Sequence, residues 1–296
     1  MSLRIAVIGK TGQLARALLR EGEAQGHEII ALGRDALDLT ASSTEIETAI
    51  ASLPSGLDVL VIAAAFTDVD GAESQSDVSY AVNAVAPGII ARTCAQHDIP
   101  LIHISTDYVF DGEADSPYEP DDDTDPLGVY GASKLDGELA ILESGARSLI
   151  LRTSWLYDGD GSNFLTTMLR LAKDKDVISV VDDQIGRPTF AGHLAQAVLK
   201  AASNFAQEPD IETAIYHVTN GGEEVSWAGF AKAIFKAKGL DVKVDEIPSS
   251  NYPSIADRPA YSVLETESFE RTFRHPLPDW QSGLRAALEL AAENTA

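Results

Sequence analysis

Short apolar runs rich in β-branched residues alternate with longer amphipathic stretches through the first half of the chain, the pattern of βαβ units feeding a parallel sheet. The runs predict strands at Leu3–Ile8, Glu28–Leu32, Val59–Ala63, Pro100–Ser105 and Ser148–Arg152. The stretches between them predict helices near Gln13–Glu23, Ser43–Ser52, Asp77–His97 and Val129–Glu143. Val59-Leu60-Val61-Ile62 is apolar at every position, so the sheet should be covered on both faces and form a central layer. After Arg152 the alternation loosens. Helices are expected near Asn163–Lys173, Ala191–Asn204, Ser226–Lys238 and Leu277–Glu293, with short strands at Val177–Val181 and Ile215–Thr219. A boundary near residue 155 divides the chain into 1–155 and 156–296, the second part smaller and interleaved with the first.

The chain has 296 residues, 45% hydrophobic and 23% charged, an ordinary globular composition long enough for two compact units or one large one. Lys and Arg number 22 against 46 Asp and Glu, a net charge of −24, which disfavours a nucleic-acid or membrane-surface role. An anionic ligand must then be held by a local device, a helix N-terminus or a single Arg, working against the global field. The lone Cys94 excludes an intrachain disulfide framework and fits a reducing compartment. The first residues carry no signal-peptide pattern, and the longest apolar run, Val59 to Phe66, falls far short of the ~20 residues that span a bilayer, so a cytoplasmic protein is expected. The acidic run Glu119 to Asp123 reads as a solvated loop. His27, His97, His103, His193, His217 and His275 form no metal-ligand spacing and are assigned no catalytic part; no metal site is expected.

Ile5-Ala6-Val7-Ile8 runs directly into Gly9-Lys10-Thr11-Gly12-Gln13-Leu14-Ala15, which continues as a helix. Strand, glycine turn and helix in that order let backbone N–H groups and the helix dipole face a pyrophosphate, although a tight turn with no ligand reads the same way. The spacing is Gly-x-x-Gly-x-x-Ala rather than Gly-x-Gly-x-x-Gly. After the second strand, Gly33-Arg34-Asp35 offers a guanidinium suited to a 2′-phosphate. This favours NADP(H) over NAD(H), with Asp35 leaving the choice open. Ala63-Ala64-Ala65 ends the third strand in small residues, and Ser105-Thr106-Asp107-Tyr108 ends the fourth in hydroxyls, both at the carboxyl edge where open α/β sheets bind ligands. Tyr130 and Lys134 then stand at i and i+4 on one helical face, a pair in which an ammonium can stabilise a phenolate.

These features occur together with Ser105 to Gly112, Pro117-Tyr118-Glu119-Pro120, Ser133-Lys134-Leu135-Asp136-Gly137-Glu138, Arg152 to Tyr157, Asp183 to Thr189 and Arg258-Pro259. In this combination the sequence resembles the extended short-chain dehydrogenase/reductase family and, within it, the dTDP-4-dehydrorhamnose reductases. The resemblance implies an α/β fold. A Rossmann-type doubly wound parallel sheet over 1–155 would bind NADP(H), or NAD(H), and a smaller α/β part over 156–296 would mainly bind substrate. It implies Tyr130 as catalytic acid, Lys134 as its tuner and ribose anchor, and Thr106 as the hydroxyl on the substrate carbonyl. Gly12, Gln13 and Leu14, following Gly9, would cradle the pyrophosphate. Asp38 and Leu39 would flank adenine, beyond Arg34, and Ala65, Phe66 and Thr67, after Ala64, would line the cofactor channel. Val69, Thr106, Asp107, Tyr130 and Trp155 would meet the substrate, with Arg258 clamping its diphosphate.

Two positions depart from the family pattern: Ala15 replaces the usual third glycine, and Ala17 stands where some members carry a glutamate that helps hold a subunit-bridging magnesium ion. The resemblance leaves a monomer or a homodimer open. The implied reaction is reduction of a dTDP-4-keto-sugar to dTDP-L-rhamnose. The alternatives are a reductase or epimerase of another nucleotide sugar, and a nucleotide-binding regulatory subunit, against which the intact Thr106, Tyr130 and Lys134 argue.

Overall fold

The computed structural model describes residues 2–293. The chain opens β1 (Arg4–Ile8), α1 (Gln13–Ala24), β2 (Glu28–Leu32), α2 (Ser43–Ala51), β3 (Val59–Ile62), α3 (Val69–Ser74), α4 (Ser76–Tyr80) and, after a single π turn at Ala81–Val85, α5 (Ala86–Gln96). It continues through β4 (Leu101–Thr106), α6 (Val129–Leu142), β5 (Ser148–Thr153), β6 (Leu156–Tyr157), α7 (Phe164–Leu171), β7 (Val177–Val181), β8 (Ile185–Gly186) and β9 (Thr189–Phe190). It closes with α8 (Ala191–Gln207), β10 (Ala214–His217), β11 (Val225–Ser226), α9 (Trp227–Lys238), β12 (Lys243–Ile247), α10 (Glu267–Phe273) and α11 (Trp280–Glu293).

Six parallel strands form the central sheet in the order β10-β5-β4-β3-β1-β2. β2 lies on one side of β1 and β3 on the other, so the winding reverses at β1, and the crevice outside the carboxyl ends of β1 and β3 is the topological switch point. Successive residues of the strands point to opposite faces. Ile5, Val7, Val59 and Val61 pack with Leu14, Leu18, Leu194, Val198 and Phe205 of α1 and α8. Ala6, Ile8, Leu60 and Ile62 pack with Ile46, Ile50, Ile89, Ile90, Cys94 and Ile141 of α2, α5 and α6. This is the two-sided burial expected from the all-apolar third strand. Ala17 is fully buried in the α1–α8 layer and offers nothing to solvent at that position.

The second half is interleaved with the first: α8 and β10 complete the sheet layers, and Phe269 and Phe273 of α10 join the same core. A separate apolar cluster built on Tyr157, Leu165, Phe190, Phe230, Ile234, Trp280 and Leu284 organises α7, α9 and α11 beside the carboxyl edge. The helix expected over Asp77–His97 is divided by the π turn. Pro87 has no N–H for the Asn83 carbonyl four residues back, so the regular ladder cannot run through this point. α3, α10, β12 and the two-residue strands lack long apolar periodicity, and the amphipathic pattern does not announce them. α3 exists through its cap, the Asp68 carboxylate accepting the Gly71 N–H at 3.0 Å.

Candidate active site

A cleft of about 920 Å³ lies along the carboxyl ends of β1, β3 and β4, bounded by α6 and by the segment after β5. Its floor begins where β1 turns into α1. Gly9 adopts φ +122°, a backbone conformation that side-chain-bearing residues rarely take. Gly12, the N-cap of α1, provides no side-chain cap, so the first-turn N–H groups of α1 face the cleft unblocked. The Gln13 side chain reaches Leu156 O at 3.4 Å while its Oε1 is buried without a partner. Arg16 crosses the mouth to Asp160 at 2.6 Å and also bonds Thr11 O. At the end of β2, Arg34 lines the cleft, and the stem of Lys10 runs across Gly33 beside it. Sequence reasoning singled out Arg34 and missed Lys10, whose position over the second turn is fixed only by the fold. Asp38 accepts from Thr40 N at 2.9 Å and Thr40 Oγ1 at 2.7 Å, which hold its carboxyl below the usual range.

Ala64, Ala65, Thr67 and Val69 line the wall above β3 with Leu14, Asp38 and Leu39. Phe66 does not line it: its N–H and C=O bond the Asn83 side chain at 2.8 and 3.0 Å, and its ring packs into the layer under α5. Asn83, in the π turn, also donates to Ser133 Oγ at 3.0 Å, tying this loop to α6. Glu73 Oε1 accepts the Val129 N–H at 2.8 Å and caps that helix.

α6 and the end of β4 bring Thr106, Tyr130 and Lys134 to the same cleft wall. Thr106 Oγ1 bonds Asp107 Oδ1 at 3.0 Å, accepts the Tyr108 N–H at 3.2 Å and faces the Tyr130 phenol. Burial pushes the phenol up to about 12, the Thr106 hydroxyl pulls against this, and the Asp107 carboxyl adds to it. Asp107 is buried, and desolvation raises its carboxyl to about 7. Lys134 is buried along its stem and lowered to about 8 by desolvation, against which Glu138 acts to keep the charge. Its Nζ lies 2.7 Å from Ile104 O and 3.0 Å from Nε2 of His103, a histidine to which sequence reasoning assigned no role. Glu138 is itself held by Arg152 on β5, Oε2 to Nη2 at 2.7 Å and Oε1 to Nε at 3.0 Å, with both groups buried.

The opposite wall comes from the second half of the chain. Trp155, at φ +46°, stacks on Trp227 with centroids 3.5 Å apart and planes 6° from parallel. Gly186 leaves room for the Trp155 ring, since a Cβ there would press into the indole. Arg258 stands back from the cleft lining, paired with Asp70 Oδ2 at 3.1 Å and bonded to the Tyr108 side chain. Asp70 also accepts the Ile255 and Ala256 N–H groups, fastening this segment to α3.

A cleft with an anion-ready helix terminus at a switch point on one side, and a phenol, an ammonium and a hydroxyl on the other, defines a dinucleotide-dependent oxidoreductase of the short-chain dehydrogenase/reductase type. The family within that class follows from comparison with known proteins. The profile described as the RmlD substrate binding domain matches residues 3–292, and the chain belongs to this family. A dTDP-4-dehydrorhamnose reductase of Sinorhizobium fredii is 41% identical over 288 residues, covering 96% of each chain. Among solved structures, a dTDP-4-dehydrorhamnose reductase of Clostridium acetobutylicum aligns with a TM-score of 0.90 at 34% identity, covering 98% of this chain and 100% of that one. The enzyme of Bacillus anthracis, solved in complex with NADP, aligns with a TM-score of 0.90 at 32% identity over 98% of this chain and 100% of that one.

Proposed function

We propose that the protein uses NADPH to reduce the 4-keto group of dTDP-6-deoxy-L-lyxo-4-hexulose, forming dTDP-L-rhamnose. The observation that carries this reading is the gathering of Thr106, Tyr130 and Lys134 on one wall of the cleft whose floor is the β1–α1 turn, in a chain 41% identical over nearly its whole length to an enzyme named for this reaction. The residues present fit a dinucleotide. Gly9 and uncapped Gly12 leave the pyrophosphate position open, Gln13 Oε1 is buried and unpaired, and Ala64 and Ala65 keep the passage along the sheet edge free of bulk. Gly12, Gln13 and Leu14 would hold the pyrophosphate, Arg34 a 2′-phosphate, and Asp38 and Leu39 the adenosine.

The bound nicotinamide supplies hydride to the keto carbon. Negative charge would then develop on the carbonyl oxygen, where Thr106 and Tyr130, both lining the cleft, would hydrogen-bond it. Tyr130, protonated at neutral pH as phenols ordinarily are and held so more firmly by burial, would give its proton to that oxygen. The phenolate left behind is costly in a buried site, and the Lys134 ammonium stabilises it there. The Trp155–Trp227 stack would form an apolar wall for the sugar, and Arg258, set back behind the lining and paired with Asp70, would have to swing forward to clamp the diphosphate. In this reading residues 1–155 mainly hold cofactor and 156–296 mainly hold substrate. The reaction belongs in the cytoplasm, where NADPH is kept; among the described residues no helix is long and apolar enough to cross a membrane.

Incubation with NADPH or NADH and the dTDP-, UDP- and GDP-4-keto-sugars, with products identified by NMR, tests the reading. Oxidation of NADPH with the dTDP substrate and formation of dTDP-L-rhamnose are expected. Turnover confined to another nucleotide sugar would move the assignment within the class. Tight NADP binding with no turnover of any keto-sugar would replace it by a regulatory role.

A further inference from the structure

The head of Lys134 is held from beneath by two groups outside the proposed trio. An ammonium has three N–H donors and no acceptor. Two of them are engaged within the fold, by the Ile104 carbonyl at 2.7 Å and His103 Nε2 at 3.0 Å, both contributed by β4 beneath the cleft. Because the ammonium can only donate, Nε2 must present its lone pair, which makes His103 a neutral imidazole with its proton on Nδ1. His103 has no exposed surface, and Nδ1 has no hydrogen-bond partner among the described residues. Leaving a buried donor unpaired is unfavourable, so a histidine is an expensive choice for a position that an apolar residue could fill. Burial and the neighbouring Lys134 charge both oppose a second proton on the ring and keep it an acceptor.

We propose that His103 is a positioning residue for the reduction: with the Ile104 carbonyl it engages two of the three Lys134 protons, so that the third is fixed toward the cleft. This rests on the reaction assigned above. The tetrahedral ammonium converts two contacts below the sheet edge into one direction above it, where a nicotinamide ribose and the Tyr130 phenolate would stand. The same acceptor helps keep Lys134 charged in a buried place. The charged group acting on it is Glu138 on α6, which favours the ammonium and is itself paired with Arg152 on β5.

His103→Leu removes the acceptor at similar volume, and His103→Gln restores one through its amide oxygen. In the leucine variant kcat should fall by roughly 10- to 100-fold, the effect of a misplaced catalytic group, with a smaller rise in KM for NADPH from the weakened ribose contact. Loss of an acceptor from a cation lowers its pKa, so the basic limb of the kcat profile should move to lower pH. The glutamine variant should recover most of the rate and the limb. A leucine variant with wild-type kcat and an unmoved limb, or a glutamine variant as impaired as leucine, would overturn the proposal. Imidazole ¹⁵N spectra of the wild-type protein with NADP bound supply a readout that needs no turnover or variant. A neutral ring protonated on Nδ1 from pH 6 to 8 is expected, and a ring protonated on Nε2, or an imidazolium, would overturn it. If the wild type reduces no dTDP-keto-sugar, the assigned reaction fails on its own account, while the spectra still decide the state of His103.

Discussion

Burial moves Tyr130 and Lys134 in opposite directions, the phenol up to about 12 and the ammonium down to about 8, because each is displaced toward its uncharged form. At neutral pH both keep their protons, the state that a proton donor and its charged neighbour need at the start of a reduction. Lys134 gives up its proton, and with it its charge, as pH rises through about 8, whereas Tyr130 gives up its proton only far above. The kcat profile should therefore be flat near neutrality and fall on the alkaline side with a midpoint near 8, set by the lysine; a plateau extending past pH 10 would show that the ammonium charge is not used. At this scale much of the site was legible. Tyr130 and Lys134 are one helical turn apart, and Thr106 ends a strand, so local geometry alone places their side chains. His103 and Lys134 are 31 residues apart and meet only through packing of α6 on β4. Its sequence neighbourhood is that of any histidine in an apolar strand. Phe66 illustrates the converse: the resemblance put it in the channel, but Asn83 holds its backbone and it is not among the residues that line the cleft.

α6 is the element on which the site depends, and it approaches its neighbours closely at two glycines. A Cβ on Gly131 would strike the Tyr108 carbonyl oxygen, and one on Gly137 would strike the Asn83 carbonyl oxygen. The second contact joins the two irregularities of this region, since Asn83 sits in the π turn opened by Pro87 and its side chain holds both Phe66 and Ser133. Gly137→Ala gains about 0.5–1 kcal/mol of helix preference but forces backbone apart, which costs about 1–3 kcal/mol or more. The variant should melt below the wild type and bind NADPH more weakly, because α6 is pushed from the loop after β3. A melting temperature at or above wild type in calorimetry would refute the close approach. The main helices were predicted to within a few residues because each carries one apolar face against the sheet. The π turn was not, although its cause, Pro87 inside the expected helix, stands in the sequence: the apolar pattern runs on through it unbroken. α10 escaped for a related reason: only Phe269 and Phe273 are buried in its seven residues.

For the molecule as a whole, a net charge of −24 surrounds a cleft meant for two anionic ligands. The local cations at its adenosine end, Lys10 and Arg34, act over a short range, while the global field repels ligands at long range. Raising salt from about 10 mM to about 150 mM shortens the Debye length from ~30 Å to ~8 Å, which removes the repulsion before it weakens the close contacts. The association rate of NADPH should rise over this interval in stopped-flow fluorescence; a monotonic fall would mean that the local cations dominate from the outset. The composition foretold this conflict between field and ligand, and the sequence order foretold the sheet. Interleaving of the halves was anticipated only in outline. That β10 would add a strand to the central sheet, and α8 a layer beneath α1, depends on long-range pairing that no local pattern encodes.

The central claim is that Tyr130 delivers the proton to the reduced carbonyl. Its most direct test is the rate of NADPH oxidation by Tyr130→Phe at saturating dTDP-keto-sugar, with NADPH affinity measured separately. The account predicts a loss of about 10²- to 10⁴-fold in kcat with cofactor binding intact; a phenylalanine variant that turns over at the wild-type rate would contradict it.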